Sequence, residues 1–258
     1  MLVMQRGLSE SREQAQRLIR AGQVRADGHV VSKPGQKLDV DVPLDVKARP
    51  RFVSRGGDKL EAVFKAFALN VEGLVCLDVG ASTGGFTDCL LQHGASRVFA
   101  VDVGKGQLDW KLRNDPRVTV MEGVNARYLK EDDFQEKPEF AVVDVSFISL
   151  TKIMPAVIKV LTAGGEIVTL IKPQFEAGRK QVEKGGVVRD AGVRAQVVEK
   201  IKSFGRDELG LEWLGVCESP LKGPAGNVEF LAYWKKGKRR EVGRVVPNAP
   251  CIPAASLA

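Results

Sequence analysis

Leu74-Val75-Cys76-Leu77-Asp78-Val79-Gly80-Ala81-Ser82-Thr83-Gly84-Gly85-Phe86-Thr87 is an apolar run of strand length that ends in an acid, then a glycine-rich turn, then the first residues of a helix. Gly80, Gly84 and Gly85 carry no Cβ, so the backbone there can bend sharply and approach a ligand closely. The helix that follows offers unpaired N–H groups and the positive end of its dipole. A strand, a turn and a helix start of this kind suit a nucleotide-like cofactor at the carboxyl edge of a parallel sheet. The spacing from Gly80 to Gly85 lacks the G-x-G-x-x-G of a dinucleotide fingerprint.

Outward from this stretch the chain alternates strand and helix signals, as doubly wound α/β folds do. Apolar runs of strand length lie at 74–79, 97–103, 118–122, 139–145 and 166–171. Helical periodicity lies at 85–92, 107–113 and 152–161, with a longer helix at 193–204. Two last strand signals, 213–217 and 228–234, are joined by a short loop and should pair antiparallel. A mostly parallel, seven-stranded, Rossmann-like α/β sheet closed by one antiparallel strand is the layout of the class I methyltransferases. In that layout Asp78-x-Gly80-x-x-x-Gly84-Gly85 has the form of turns that bind S-adenosylmethionine (SAM), with Ala81, Ser82 and Phe86 completing the cradle. Asp102 ends the second strand, with Val103 beside it. It is placed to accept hydrogen bonds from two ribose hydroxyls, or else to cap the turn at Gly104-Lys105-Gly106. Asn125, after the third strand, sits beside an adenine or serves as a turn residue.

The 258 residues allow one medium domain and a small module. Lys and Arg number 39 against 32 Asp and Glu, a net charge of +7 that fits either a polyanionic partner or a mildly basic enzyme. Cys76, Cys89, Cys217 and Cys251 form no C-x-x-C pair, and His29 and His93 are far apart. The sequence therefore shows no metal-ligand spacing, and its thiols fit a reducing compartment. No apolar run approaches the ~18–20 residues of a membrane span, and the first residues lead into a polar stretch rather than a signal-peptide core. These features place the protein in the cytoplasm, without metal and without membrane.

Near the N-terminus, Ser9 or Ser11 caps a helix whose apolar face is Ala15, Leu18 and Ile19, and Gly22 stops it. Residues 23–31 read as a hairpin around Asp27-Gly28. The stretch 39–50, with alternating charge, Pro43 and Pro50, reads as a linker. The pattern Ser11-Arg12-x-x-Ala15-x-x-Leu18-Ile19-x-x-Gly22-x-Val24-x-x-x-Gly28 resembles the αL RNA-binding domain, named for the fourth ribosomal protein of the small subunit. That resemblance implies an RNA-facing surface with Arg12, Arg17, Arg20 and Arg25 as contacts, where composition alone allows a solvated helix face. The family opens with a longer first helix carrying Arg-Leu-Asp. Here the domain is trimmed or its start lies upstream. The expected organisation is an RNA-binding domain at 1–47, a linker at 48–54, the α/β domain at 55–237 and a disordered tail at 238–258.

Four charged residues stand at unusual places: Lys59 on a helix before the first strand, Asp144 and Lys172 at the ends of apolar strands, and Glu229 inside an apolar run. Charges at the ends of buried strands are costly unless paired or functional. In order and context, Lys59, Asp144, Lys172 and Glu229 resemble the K-D-K-E tetrad of the FtsJ-like ribose 2′-O-methyltransferases. Four motifs narrow the match: residues 144–150, Lys172-Pro173-Gln174-Phe175-Glu176, Gly185-Gly186-Val187-Val188-Arg189-Asp190, and Pro220-Leu221-x-Gly223-Pro224-x-Gly226-Asn227-Val228-Glu229. Together they are similar to the TlyA family, once labelled haemolysins. The resemblance implies a SAM-dependent rRNA cytidine 2′-O-methyltransferase acting on ribosomal subunits.

The chemistry agrees. A ribose hydroxyl is a weak nucleophile and must lose its proton as it attacks. A lysine can take that proton only where its pKa falls from about 10.4. Lys172, with Lys59 close by, is the candidate base, and Asp144 and Glu229 would hold both lysines and the hydroxyl. A catalytically silent ribosome-binding or assembly factor is the alternative from another class. A membrane-lytic protein lacks the spanning or strongly apolar amphipathic segment it needs.

Overall fold

The computed structural model describes residues 2–46 and 50–237, so the tail expected at 238–258 and positions 48–49 of the expected linker lie outside the described residues. The chain divides into two compact units, Met1–Arg51 and Phe52–Ala258.

In the first unit a short helix α1 (Leu2–Gln5) precedes α2 (Arg12–Arg20). Ser11 caps α2, its hydroxyl accepting from Gln14 N at 3.1 Å. Ala15, Leu18 and Ile19 are buried with Val24, Ala26 and Val31 in a small core. β1 (Val24–Ala26) and β2 (His29–Val30) form the expected hairpin, with Asp27 and Gly28 at φ of 49° and 77°. Positive φ at both turn positions matches the right-handed strand twist, which explains why Asp-Gly stands there. The stretch read as a linker contributes a third strand, β3 (Leu44–Val46), antiparallel to β1. Leu44 and Val46 pack on the core while Asp45 is exposed, a period-two pattern too short to stand out beside Pro43.

The second unit is a seven-stranded sheet in the order β6-β5-β4-β7-β8-β10-β9. Its strands are β4 (Val75–Val79), β5 (Arg97–Asp102), β6 (Val118–Glu122), β7 (Phe140–Val143), β8 (Glu166–Ile171), β9 (Leu211–Glu218) and β10 (Phe230–Lys236). β4 to β8 run parallel, and β10 runs antiparallel to both β8 and β9, so the antiparallel strand is inserted next to the edge. Alternation along the strands feeds two apolar layers, one around Leu77, Val143, Met154 and Trp234, the other around Cys76, Leu90, Val142 and Leu170.

The helices are α3 (Gly56–Phe67), α4 (Gly85–Gln92), α5 (Trp110–Arg113), α6 (Met154–Val160), α7 (Pro173–Glu176) and α8 (Ala191–Ser203). The helix expected at 107–113 starts later because the Asp109 side chain caps it at Lys111 N. The start of the helix expected at 152–161 is a 3-10 turn, Leu150–Lys152, ahead of Pro155. Residues 52–54, expected in the linker, pack into this unit. Phe52 is buried against Gly57, where a Cβ would lie 2.1 Å from its ring, and Val53 N donates to Asp88 Oδ2 at 2.8 Å.

Candidate active site

The strand order reverses between β4 and β7, and ligands of open α/β sheets bind in the crevice beyond such a point. The glycine turn lies there. Gly80, Ser82 and Gly84 all have positive φ, at 87°, 49° and 96°. Gly80 is needed for contact as well as for conformation, since a Cβ would fall 2.2 Å from the Asp144 carbonyl oxygen. The ends of β4 and β7 meet only because that atom is missing, and Asp144 N completes the ladder to Val79 O at 2.9 Å.

Two adjoining hollows share Gly80, Ser82 and Asp144. One, of about 330 Å³, is lined by Ala81, Gly85, Phe86 and Lys59 together with Arg55 and Lys222. The other, of about 440 Å³, is lined by Asp102, Val103 and Asn125 with the apolar side chains of Val101, Val124, Ile148 and Ile153. An acid at the strand end and apolar walls around it fit an adenosine. Both oxygens of Asp102 also hold the backbone, accepting from Ser82 N at 2.8 Å and Gly104 N at 2.7 Å. Each carboxylate oxygen keeps a further lone pair, so the capping role and the ribose role are compatible. Asn125 likewise lines the hollow and acts as a turn residue, its Oδ1 accepting from Arg127 N at 3.1 Å.

Two expected cradle residues line neither hollow. Asp78 is fully buried and accepts from the Thr87 hydroxyl at 2.6 Å, tying β4 to the first turn of α4. Burial pushes its carboxyl up to about 7, the Asp144 and Asp102 carboxylates add to this, and the Thr87 hydrogen bonds oppose it. Gly84 makes room for packing, since a Cβ would lie 2.3 Å from Leu112 Cδ1. Sequence spacing places such residues near a turn and says nothing of which side faces the ligand.

The four tetrad residues form two close pairs. Lys172 Nζ lies 2.6 Å from Asp144 Oδ1, an ion-pair contact rather than an aligned hydrogen bond, and donates to Ser146 Oγ at 2.9 Å. Lys59 Nζ donates to Glu229 Oε2 at 2.6 Å, across a sequence separation of 170. Lys172 is 9% exposed and Glu229 1%, so neither charge has bulk water in place of its partner. Asp144 and Lys59 line the hollows, and Lys172 and Glu229 sit one contact behind them. Each lysine thus has its own carboxylate, Asp144 for Lys172 and Glu229 for Lys59.

Three further features escaped the sequence reading. Glu176 is buried and accepts from Ser149 Oγ and Leu150 N, both at 2.6 Å, fixing the loop after β7; burial raises its carboxyl. Its place at the end of the quoted Lys172–Glu176 motif was the available signal. Phe147 is 91% exposed at φ 64° on the rim of the larger hollow, a strained backbone for a bulky residue. Glu61, Cys89 and His93 converge with one ligand atom each within 4.8 Å; His93 Nε2 meets Glu61 Oε2 at 2.8 Å and stacks on Phe64. Cys89 on α4 and His93 just past its end stand four apart, a spacing visible in the sequence, but Glu61 on α3 reaches them only through helix packing. Arg12, Arg17, Arg20 and Arg25 are all exposed on the first unit, and Arg25 also reaches Gly28 O at 3.5 Å.

Known proteins match both units. The FtsJ-like methyltransferase family matches residues 52–236, and the S4 domain matches residues 1–42. A Bacillus subtilis protein named "Putative rRNA methyltransferase YqxC" is 48% identical over 96% of this chain and 88% of its own. The Mycobacterium tuberculosis protein named "16S/23S rRNA (cytidine-2'-O)-methyltransferase TlyA" is 44% identical over 96% of each chain. A solved structure described as "Putative hemolysin from Streptococcus thermophilus" superposes with a TM-score of 0.73 at 48% identity, covering 92% of this chain and 86% of that one. With the glycine turn, the seven-stranded sheet and the two lysine–carboxylate pairs in place, the chain belongs to the FtsJ-like methyltransferase family, with an S4 domain at its N-terminal end.

Proposed function

We propose that this protein is a SAM-dependent methyltransferase acting on a ribose 2′-hydroxyl of rRNA, of a cytidine within ribosomal subunits. The observation that carries this reading is the pair of buried contacts, Lys172–Asp144 and Lys59–Glu229, gathered at the crevice that holds the glycine turn. Asp102, Val103 and Asn125 would hold the adenosine half of the cofactor, and Gly80, Ala81, Ser82, Gly85 and Phe86 the remainder. SAM, when bound, supplies an electrophilic methyl group. The chain's own residues must then orient the hydroxyl and receive its proton. Lys172 Nζ receives it, having first released its own proton to solvent water. Asp144, which lines both hollows, and the Ser146 hydroxyl fix that nitrogen. The Lys59–Glu229 pair positions the hydroxyl. No step calls for a metal.

The relatives' names support rRNA as the substrate, and the S4 match supports an RNA-binding role for Arg12, Arg17, Arg20 and Arg25. Among the described residues no helix is long and apolar enough to cross a membrane. A protein working on ribosomal subunits would act in the cytoplasm. The test is transfer of tritium from methyl-labelled SAM to ribosomal subunits, followed by mapping of 2′-O-methyl sites. Label must appear on rRNA with wild type and fall to background with Lys172→Ala. Binding of subunits by wild type without any transfer would favour the silent assembly factor.

A further inference from the structure

Two glycine-rich stretches singled out in the sequence, 185–190 and 220–229, belong neither to the cofactor turn nor, apart from Glu229, to the tetrad. One side chain joins them. Asn227 is 2% exposed. Its Oδ1 accepts from Val188 N at 2.9 Å, and its Nδ2 donates to Gly186 O at 2.8 Å. Both ends of the amide are therefore used on the backbone of a single loop. That loop is a tight hairpin: Glu183 N donates to Val187 O and Gly186 N to Glu183 O, each at 3.0 Å. Gly185 and Gly186 have φ of 94° and 76°, with nothing within 4 Å of an added Cβ, so they serve the bend and leave an open tip.

The hairpin is fastened to the catalytic residues on both sides. Asn227 stands two residues before Glu229, and its carbonyl accepts from Gly223 N at 2.9 Å. Gly223 in turn has no room for a side chain, because a Cβ would lie 2.6 Å from Glu229 Oε1. On the other side the chain runs back through α7 to Lys172. Residues 178–190 carry four cations and two acids. Arg189 is paired with Glu183 at 2.8 Å, and Asp190 caps α8. Arg179, Lys180 and Lys184 are exposed, and no carboxylate among the described residues pairs with them. Unpaired cations on the 3-10 turn Arg179–Gln181 and on the hairpin that follows it, held beside a site for a polyanion, have the chemistry of phosphate ligands, which position a nucleic acid without reading its sequence.

We propose that the 178–189 segment, clipped in place by Asn227, is an RNA-backbone grip of the methyltransferase domain itself. Arg179, Lys180 and Lys184 take phosphates there and bring the target ribose to Lys172. This rests on the RNA-methyltransferase reading above. Asn227 is a positioning residue: it acts on the RNA through the hairpin it holds.

The experiment uses the full chain. Filter binding to transcribed ribosomal RNA at several salt concentrations is paired with calorimetry of SAM binding and thermal melting. A lost phosphate contact should cost about fivefold in affinity at ~0.15 M salt, so Lys180→Ala with Lys184→Ala should weaken RNA binding roughly 20–30-fold and lower the salt slope by nearly two. Asn227→Leu keeps every cation but frees the hairpin, and should raise the KM for RNA several-fold while SAM affinity stays put. RNA affinity and salt slope equal to wild type in the double lysine variant would overturn the proposal and leave these charges a solvated face. Loss of RNA binding in the lysine variant, with no methyl transfer by wild type, would support the grip while sinking the methyltransferase reading.

Discussion

Asp78→Asn isolates a cost that the fold places beneath its cofactor turn. The Asp78 carboxyl has no exposure to water, and its Oδ1 has no hydrogen-bond partner. It titrates near 7 in the folded chain against an ordinary value of 3.8. Between those values the folded state holds a proton that the unfolded state has released. Stability therefore falls as pH rises through this window, and the full cost is present above pH 7. Its size is about 4 kcal/mol, of which about 3 kcal/mol develops between pH 5 and 8. Against the ~5–15 kcal/mol that hold a typical domain this is large. Asparagine keeps an oxygen for the Thr87 hydroxyl and cannot ionise. Its N–H groups replace an oxygen that has no hydrogen-bond partner, and donors left unmet there cost about 1–3 kcal/mol, a loss that does not change with pH. The assay is urea unfolding followed by tryptophan fluorescence from pH 5 to 8. Trp110, Trp213 and Trp234, the three tryptophans of the chain, all lie in the second unit, so the signal reads the right domain. Wild-type stability should drop relative to the variant by about 3 kcal/mol across that range. Two curves that stay parallel within about 0.5 kcal/mol would refute the buried-acid account.

Lys172→Ala should lower single-turnover methyl transfer by roughly 10²–10⁴-fold while SAM affinity changes little, as expected for a proton acceptor; quench-flow with calorimetry checks both. Glu229→Gln should also be severe, and combining it with Lys172→Ala should cost much less than the sum, because the residues act as a unit. Asp102→Ala removes the acceptor of Ser82 N and Gly104 N as well as the ribose ligand, so SAM binding should weaken at least tenfold by calorimetry, a loss of about 1.4 kcal/mol or more. Reversing charge at Arg12, Arg17 and Arg20 should weaken rRNA binding and flatten its salt dependence without touching SAM binding; an unchanged salt slope would remove these arginines from the interface.

Much of this protein could be read from local pattern. β6 and β8 begin and end where the apolar runs do, and α4 begins at Gly85, because period and glycine placement are properties of a few neighbouring residues. The Asp27-Gly28 hairpin and the Ser11 cap were legible for the same reason. Asp144, Lys172 and Glu229 stood out because charged residues interrupt apolar runs, one strand at a time, and the tetrad with Lys59 was named from its resemblance to the FtsJ-like K-D-K-E pattern. Its pairing could not be read that way. Lys59, on α3, and Glu229, just before β10, meet only in the folded chain, and nothing within either segment specifies the other. Tertiary structure also divided the cradle. It sent Asp78 under the turn and Gly84 against Leu112, because a strand end has a ligand side and a core side that spacing alone does not distinguish. Leu44–Val46 became a strand for a similar reason: three residues carry too little periodicity to declare themselves until β1 offers its free edge. The sequence by itself determined most of the elements, the turn chemistry and the list of charged residues. Only the packed sheet decided which charges touch, which face water and which loop Asn227 holds, because those depend on contacts between segments far apart in the chain.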